Sequence, residues 1–518
     1  MDVQRKSAVS SKAKGRQRSS SPNALAERAP APNGAQTGVV HLTAEYWPLA
    51  RTGGLGEAVQ GLATYQAAAG RQVSVFLPLY RTVRSTAPDL ERLGPPFTVP
   101  IGPRIERGWL YRIPPAASGE HAPQVFLIDN PEYFDRDGIY GADGSDYADN
   151  ARRFAFFCMA ALTLMPQIAP TAAVLHAHDW HAALAPVYLR NFFSGPYHAQ
   201  LATVISAHNA GFQGHFPPET LGDLGLSPTL YNPHVFEWYD RVNFLKGGLA
   251  FSDMAVTVSP THARELCTAE GGFGLHDTFT AMGDRLVGIL NGIDPVMWDP
   301  EHDSLIAAPY AVDDTEGKAA CKAALQRKWG LPEKPRAPLF GMSARLVSQK
   351  GLDLVIGADL LSLPEAQFVF LGAGELRYER VLAQLALSAP DRIAVEFNFT
   401  DKQEHRLLAG ADALLMPSLY EPCGLTQMRA LRYGTVPVAR RVGGLADSIT
   451  DEVTGILFNE YTGDALRTAL LKTIRLYHNS ATWAKLMRHG MRQQFGWDIS
   501  AARYLDVYRR AQALAAAR

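Results

Sequence analysis

Cysteine is scarce in this sequence, and a membrane-spanning apolar run is missing from it. The four cysteines, Cys158, Cys267, Cys321 and Cys423, show no paired spacing, which excludes a zinc ribbon and fits a reducing cytosol. The longest apolar run, over residues 154–165, stops at Pro166 and is too short to cross a bilayer, so it predicts a buried helix. These shortages favour a globular protein without a membrane partner.

An excess of charge of either sign is also missing. The formal net charge is −1, from 50 Lys and Arg against 51 Asp and Glu, which argues against a protein that coats nucleic acid. Residues 1–37 differ, with seven basic and two acidic side chains among Ser, Ala and Pro. We predict a disordered basic tail there, with an organelle transit peptide as the alternative. The expected location is the cytoplasm, or a plastid if the tail is a transit peptide.

From Gly38 onward, short apolar runs alternate with helical patterns. Strands rich in Val, Ile and Leu between helical segments predict an α/β fold with parallel sheets. The first series of predicted strands comprises residues 39–42, 73–77, 125–128, 174–178, 202–206 and 255–259. The second series comprises residues 339–342, 368–371, 393–397, 413–416 and 436–439.

The two series predict two Rossmann-like domains that face a deep cleft. A chain of 518 residues exceeds one ordinary core, and such sheets bind ligands at the carboxyl ends of their strands. We place the N-terminal domain at residues 38–265 and the C-terminal domain at residues 266–490. Residues 491–518 form a helical segment that we expect to pack back across the domains.

Residues 416–427 place a carboxylate directly beneath the start of a helix. A buried strand ends there, a tight loop follows, and a helical pattern begins at Leu425. The N–H groups of Gly424, Leu425 and Thr426 would point out of the helix start, which is a ready anion site. Since Glu421 lies just before them, we expect a phosphate next to a hydroxyl-rich group. The alternative is a polar loop without a ligand.

A glycine-rich turn follows the first predicted strand. Gly53 and Gly54 allow a close backbone approach to a ligand, and their N–H groups can form a nest for phosphate. The turn matches neither a dinucleotide fingerprint nor a Walker loop, so a bare turn is the alternative. Residues 372–374 (Gly-Ala-Gly) lack the third glycine of a dinucleotide fingerprint, which argues against an NAD enzyme.

Histidines follow two further predicted strands. His176, His178 and His181 suggest zinc, but strand and helix positions need not converge and no further ligand is visible, so we expect no metal. Asp179 is either a helix N-cap or a polar contact for a hydroxylated ligand. His208 is either a core histidine or a residue of a site.

Two cations follow the first strand of the second series. The planar guanidinium of Arg345 can donate two parallel hydrogen bonds, and the ammonium of Lys350 is a compact positive charge. Such a pair suits a diphosphate. A solvated basic loop is the alternative. Asp135 and Asp137 could hold Mg²⁺, but their surroundings favour a polar turn.

Five segments together resemble bacterial glycogen synthases and plant starch synthases, in the order and at the spacing of that family. They are residues 51–57, 176–181, 291–294, 345–352 and 421–427. The resemblance, over roughly residues 38–510, implies a GT-B fold and retaining transfer of glucose from ADP-glucose to the 4-hydroxyl at the non-reducing end of an α-1,4-glucan. It implies no metal and no other cofactor, and it leaves the oligomeric state open.

The resemblance also implies roles for individual residues. Arg345 and Lys350 would clamp the diphosphate, and Glu421 would hold the hydroxyls of the donor glucose. His208 and Asp179 would line the sugar at the reacting centre. The donor-binding residues that it implies are Arg51, Gly53, Gly54, Glu57, Phe399, Cys423, Gly424, Leu425 and Thr426. Among these, Phe399 falls where the family places an aromatic ring against the nucleobase.

The sequence departs from the family pattern at three places. Arg51 replaces the usual lysine, Glu57 the usual aspartate, and Ser206-Ala-His-Asn209 the usual Thr-Val-His-Asn. Because a guanidinium fork and an ammonium are not interchangeable, donor preference and rate stay open. Arg429 stands where the wider transferase motif has a second glutamate, which favours the synthase subgroup. Two alternatives remain: transfer to glucose 1-phosphate, which gives maltose 1-phosphate, and a glucan-binding protein with impaired catalysis.

Overall fold

The first half of the chain forms a sheet whose central strands are parallel. The computed structural model describes residues 38–87, 89–114, 121–142 and 144–518, so the predicted tail over residues 1–37 lies outside the described residues. The strands of this half are β1 (Gly38–Leu42), β2 (Val73–Pro78), β3 (Glu91–Arg92), β4 (Phe97–Ile101), β5 (Arg104–Arg112), β6 (Gln124–Asp129), β7 (Gly141–Ala142), β8 (Ser145–Asp146), β9 (Ala172–His178), β10 (Ala202–Ala207), β11 (His215–Phe216), β12 (Glu237–Trp238), β13 (Arg241–Asn243), β14 (Met254–Thr257) and β15 (Leu286–Gly288).

The main sheet of this half has the order β15-β14-β10-β9-β1-β2-β6-β5-β3, and β4 pairs with β5. Neighbours from β15 to β6 run parallel, and β5 is antiparallel to β6. The helices of this half are α1 (Leu55–Ala68), α2 (Arg81–Thr86), α3 (Pro131–Phe134), α4 (Asn150–Ile168), α5 (Asp179–Ala182), α6 (Leu184–Phe192), α7 (Pro196–Ala199), α8 (Thr220–Asp223), α9 (Phe244–Phe251), α10 (Pro260–Leu266) and α11 (His276–Met282). The run at residues 154–165 lies in α4, which is buried along most of its length, as the sequence predicted.

The second half forms a smaller, fully parallel sheet of order β18-β17-β16-β19-β20-β21. Its strands are β16 (Leu339–Ser343), β17 (Gln367–Leu371), β18 (Ile393–Glu396), β19 (Ala413–Met416), β20 (Val436–Arg440) and β21 (Ile456–Phe458). The remaining helices of the chain are α12 (Glu316–Lys328), α13 (Leu352–Gly357), α14 (Leu376–Ser388), α15 (Asp401–Gly410), α16 (Thr426–Arg432), α17 (Gly443–Ser448), α18 (Gly463–Tyr477), α19 (Ser480–Met491) and α20 (Trp497–Ala516). Two Rossmann-like sheets in an α/β chain confirm the predicted fold class.

The C-terminal helix α20 returns to the first half of the chain. It packs against α1, β9 and β10, where Trp497 and Tyr508 are buried. Gly61 of α1 makes room for this contact, because a Cβ at that position would lie 2.1 Å from Trp497 Nε1. No helix in the described part of the chain is long and apolar enough to cross a membrane.

The first sheet also extends beyond the boundary predicted at residue 265. Strand β15 pairs in parallel with β14, so residues up to Gly288 belong to the first half. The sequence placed the boundary too early because β15 has only three residues, two apolar and one glycine, and so short a run gives almost no strand pattern.

Candidate active site

Strands β9 and β10 end side by side and bring Asp179 to His208. The register pairs His178 with Ser206, so Asp179 and His208, which follow the two strands, emerge at the same edge of the sheet. The backbone N–H of His208 donates to Asp179 Oδ1 at 2.7 Å. Asp179 has φ of +56°, a left-handed conformation that non-glycine residues rarely adopt and that clusters at functional sites. Its carboxylate therefore contacts the neighbouring strand and does not cap its own helix.

Burial controls the protonation of both groups. It raises the pKa of Asp179 to about 7, and the N–H groups of His208 and Asn209 oppose that shift. Burial lowers the pKa of His208 to about 4, so its imidazole is neutral at physiological pH. His208 as a whole residue is only partly exposed, and its Nε2 lies 2.9 Å from His178 Nδ1.

The three histidines of the 176–181 segment do not meet at one point. His176 and His178 are two apart on a strand, share a face, and converge on His41 of β1 with ligand atoms within 4.8 Å. Their ring nitrogens are engaged in hydrogen bonds. His181 lies elsewhere, stacked 4.5 Å from the ring of Tyr140.

The glycine-rich turn is held by a carboxylate of the protein itself. Glu45 is buried and accepts hydrogen bonds from Thr52 N and Oγ1, both at 2.7 Å, and from Gly53 N at 3.2 Å. The phenol of Tyr140 donates to the same carboxylate at 2.6 Å. The nest expected for phosphate at Gly53 is thus filled by Glu45, a residue that the sequence did not single out. The sequence offers one indication of this role, which is that an acidic residue stands three positions after the end of β1.

In the second half, the loop after β19 joins two of the predicted residues. Lys350 Nζ lies 2.6 Å from Glu421 Oε2, and Ser418 donates to the same oxygen at 3.0 Å. Glu421 is buried, whereas Lys350 is partly exposed. Arg345 is exposed. Its positive charge acts on Tyr420, the residue before Glu421, and opposes the rise in the pKa of that phenol that burial causes.

Hydrogen bonds from Gln427 to backbone carbonyls hold the rest of this loop. Gln427 Nε2 donates to the carbonyls of Cys423 and Gly424 at 3.0 and 2.9 Å. Gly424 has φ of +67°, and a Cβ there would meet Gln427 at 2.3 Å. Burial raises the pKa of Cys423 to about 12, so the thiol is un-ionised, and it packs in a hydrophobic cluster of the core. Helix α16 begins at Thr426 without a side-chain cap, one residue after the predicted start.

The two halves meet through the residues at which the sequence departs from the family. Arg51 Nη2 lies 2.6 Å from Asp401 Oδ1, and Arg51 Nη1 lies 3.2 Å from Glu57 Oε1. Glu57 pairs in turn with Arg429, whose other terminal nitrogen lies 3.1 Å from the buried carboxylate of Glu404. Arg51 and Glu57 therefore form a chain of ion pairs across the cleft. The sequence missed Asp401 and Glu404 because charged residues on a helix usually face solvent.

Two further contacts join the halves. The loop after β10 lies against the loop after β19, because Asn209 hydrogen bonds with Tyr420 and a Cβ at Gly211 would lie 2.9 Å from the Tyr420 hydroxyl. A Cβ at Gly54 would lie 3.8 Å from Leu425 Cδ1, so the glycine-rich turn faces the start of α16.

Phe399 is 41% exposed in the loop after β18, which leaves its ring free for a planar ligand. Within the described residues, neither Phe399 nor Arg345 hydrogen bonds or forms an ion pair with another predicted site residue. Asp135 and Asp137 both pair with Arg81, at 2.8 and 2.7 Å, which agrees with the polar turn that the sequence favoured.

Comparisons with known proteins match both halves. The family model for the starch synthase catalytic domain matches residues 38–281, and that for glycosyl transferases group 1 matches residues 323–488. A glycogen synthase of Syntrophotalea carbinolica is 42% identical over 475 residues, which cover 90% of this chain and 97% of that protein. A glycogen synthase of Anaeromyxobacter dehalogenans is 40% identical, over 91% of this chain and 98% of its own length.

Solved structures agree. The catalytic domain of starch synthase IV from Arabidopsis thaliana, bound to ADP and acarbose, has a TM-score of 0.83 and 31% identity, and the match covers 92% of this chain and all of that one. A sucrose-phosphate synthase from Thermosynechococcus elongatus shares the fold, with a TM-score of 0.58 and 17% identity, over 92% of this chain and 99% of its own.

Proposed function

The chain belongs to the glycogen synthase and starch synthase family of glycosyltransferases, and on that premise we propose that it transfers glucose, with retention of configuration, from ADP-glucose to an α-1,4-glucan. The acceptor atom would be the 4-hydroxyl at the non-reducing end. Relatives named glycogen synthase match nine-tenths of the chain, and the Arabidopsis relative was solved with ADP and acarbose. These names support a nucleotide-sugar donor and a glucan acceptor.

One observation carries the proposal: Lys350 and Glu421 meet at the strand ends of the second half, opposite the loop that holds His208. The ammonium and the carboxylate are 2.6 Å apart, and the exposed Arg345 guanidinium follows the same sheet edge. A diphosphate needs cations and a sugar needs hydrogen-bond acceptors, and this edge supplies both. Phe399 offers an exposed ring to the nucleobase along the same edge.

The reaction places new negative charge next to these cations. The bond between C1 of glucose and the diphosphate breaks, its electron pair goes to the diphosphate, and the 4-hydroxyl oxygen bonds to C1. The hydroxyl proton leaves on the departing diphosphate. Lys350 and Arg345 would stabilise that charge more in the transition state than in the ground state, which is the requirement for a higher rate. Once Lys350 contacts the diphosphate, Glu421 is free to accept hydrogen bonds from the glucose hydroxyls.

We also propose that no metal is needed. The two cationic side chains supply the charge that Mg²⁺ supplies in other transferases. The carboxylates of Asp135 and Asp137 are both engaged by Arg81, so they are not a ready ligand set.

The test is transfer of labelled glucose from ADP-[¹⁴C]glucose to maltoheptaose in excess EDTA, with proton NMR of the new linkage. We expect chain extension by one glucose in an α linkage at an unchanged rate with EDTA. A β linkage would contradict retention, and loss of activity that Mg²⁺ restores would contradict the metal-free mechanism.

A further inference from the structure

A continuous line of hydrogen bonds leads from His208 into the core of the first half. His208 Nε2 lies 2.9 Å from His178 Nδ1, and His178 Nε2 lies 2.9 Å from His41 Nδ1. His41 Nε2 lies 2.8 Å from Gln66 Oε1, and Gln66 Nε2 donates to the Tyr508 hydroxyl at 2.9 Å. The line thus joins the loop after β10, strands β9 and β1, helix α1 and the C-terminal helix α20.

A second branch leaves from the same phenol. The Tyr508 hydroxyl lies 2.8 Å from His176 Nδ1, and His176 Nε2 lies 2.8 Å from Ser206 Oγ. Tyr508 accepts from Gln66, so its own proton points to His176. Because of this branch, the phenol is held from two sides.

The histidines on the line are neutral. His41 and His178 are fully buried, and a buried imidazolium without a carboxylate partner is costly. Burial lowers the pKa of His41 to about 4 and that of His178 well below its usual value. A neutral imidazole has one N–H donor and one acceptor nitrogen, so each ring has a direction along the line.

Gln66 sets that direction. Its amide nitrogen is engaged with Tyr508, so its oxygen faces His41 and must accept from His41 Nε2–H. His41 Nδ1 then accepts from His178 Nε2–H, and His178 Nδ1 accepts from His208 Nε2–H. The orientation of one buried amide thereby fixes the tautomer of a ring that lies three hydrogen bonds away.

We propose that Gln66 and Tyr508 are positioning residues that hold His208 as the Nε2–H tautomer, so that its Nδ1 lone pair accepts a hydrogen bond from a hydroxyl of the bound sugar. In the part of the chain that the structure describes, no other group hydrogen bonds with this Nδ1. The role of the sugar rests on the proposed function, whereas the tautomer does not.

Removing the Tyr508 hydroxyl tests the direction of the line. In Tyr508→Phe, the Gln66 amide loses the acceptor for its nitrogen and can turn, which gives an N–H to His41 and reverses every ring. His208 would then carry its proton on Nδ1 and repel a hydroxyl proton there. Tyr188→Phe is the matched control, since Tyr188 is a buried phenol of the same half whose hydroxyl donates to the Leu224 carbonyl, outside the line.

The readout is the ¹⁵N spectrum of the histidine side chains in the full chain without substrate, with His208 assigned by His208→Gln. We expect Nε2–H for His208 in the wild type and in Tyr188→Phe, and a shift toward Nδ1–H in Tyr508→Phe. Turnover with the donor should fall about five- to tenfold in Tyr508→Phe, as for loss of one hydrogen bond, and stay unchanged in Tyr188→Phe.

A wild-type His208 with its proton on Nδ1, or with both nitrogens protonated, would overturn the proposal. An unchanged tautomer in Tyr508→Phe would overturn it as well. If Tyr508→Phe does not fold, Gln66→Met replaces it: it removes the oxygen that accepts from His41 Nε2–H, so the preference of His208 for Nε2–H should weaken, and an unchanged tautomer would count against the proposal. The spectrum needs no turnover, so an inactive wild-type chain would refute the proposed function and leave this test standing.

Discussion

Lys350 is the residue whose charge the proposed reaction uses most directly. Its ammonium already lies 2.6 Å from Glu421, in a partly buried position where water screens it little. We expect Lys350→Ala to lower kcat by about 10²- to 10³-fold, because an oriented charge at the leaving group is lost. The measurement is steady-state nucleotide release with a saturating glucan acceptor.

Lys472→Ala is the control for Lys350, since Lys472 pairs with the exposed carboxylate of Glu452 on the surface. It should leave kcat unchanged. A Lys350→Ala enzyme with an unchanged kcat and only a raised donor KM would show that Lys350 binds ground state and transition state equally.

Glu57 illustrates how a side chain at the cleft also stabilises the fold. It shares Arg429 with Glu404, and Arg429 is nearly buried. Glu57→Ala leaves the guanidinium with one partner, so we expect the free energy of unfolding to fall by about 1–3 kcal/mol. Urea denaturation measures it. Glu452→Ala, which breaks an exposed pair, should cost under about 1 kcal/mol, and equal losses in the two variants would refute this account.

At the scale of elements, helix α20 depends on a glycine in α1. The indole of Trp497 occupies the space that a side chain at Gly61 would need. We expect Gly61→Ala to destabilise the protein by about 1–3 kcal/mol through overpacking, measured as a lower Tm. Gly195→Ala is the matched control, because Gly195 has an ordinary backbone conformation and open space around it. A Tm for Gly61→Ala equal to that of the control would mean that α20 does not rest on α1.

The elements that the sequence predicted well are the buried parallel strands. β19 has the predicted bounds, Ala413–Met416, because an apolar run between polar turns identifies a buried strand from local pattern alone. The hairpin of β4 and β5 was not predicted, since Pro100 interrupts the pattern of β4 and charged residues at positions 104, 106 and 107 occupy the first half of β5.

Partners across the fold could not be predicted in the same way. Glu57 and Arg429 are 372 residues apart, and Gln66 and Tyr508 are 442 apart, so only the packing of the halves and of α20 brings them together. The family pattern identified residues such as Glu421 but gave no sign of Glu45, whose role depends on the turn that folds over it.

At the scale of the whole molecule, the buried histidines make stability depend on pH. Burial holds the pKa of His41 and of His208 near 4, and holds those of His176 and His178 well below 6.5. In the unfolded chain the same rings protonate near pH 6.5, so the folded state binds fewer protons below that pH. Their contribution to stability is complete above pH 6.5 and is lost as the pH falls toward 4.

Each ring contributes up to about 1.4 kcal/mol per pH unit in that window. We expect the Tm to drop steeply between pH 6.5 and 4.5, and less steeply in His41→Gln. Asp179 has the opposite effect. Its carboxyl group ionises near pH 4 in the unfolded chain but near pH 7 in the folded protein, so the free energy of unfolding falls as the pH rises from about 4 to 7. His234→Gln, at an exposed ring, is the control, and equal slopes for His41→Gln and the wild type would contradict the burial argument.

The most direct test of the central claim is nucleotide release by the purified chain with ADP-glucose or UDP-glucose, against glycogen and against glucose 1-phosphate. The account predicts ADP release that requires glycogen, which would also show that Arg51 and Glu57 support turnover. Release only with glucose 1-phosphate would contradict the glucan acceptor and assign maltose 1-phosphate synthesis. No release with any pair, from a folded chain that still binds glycogen, would contradict the transferase account itself.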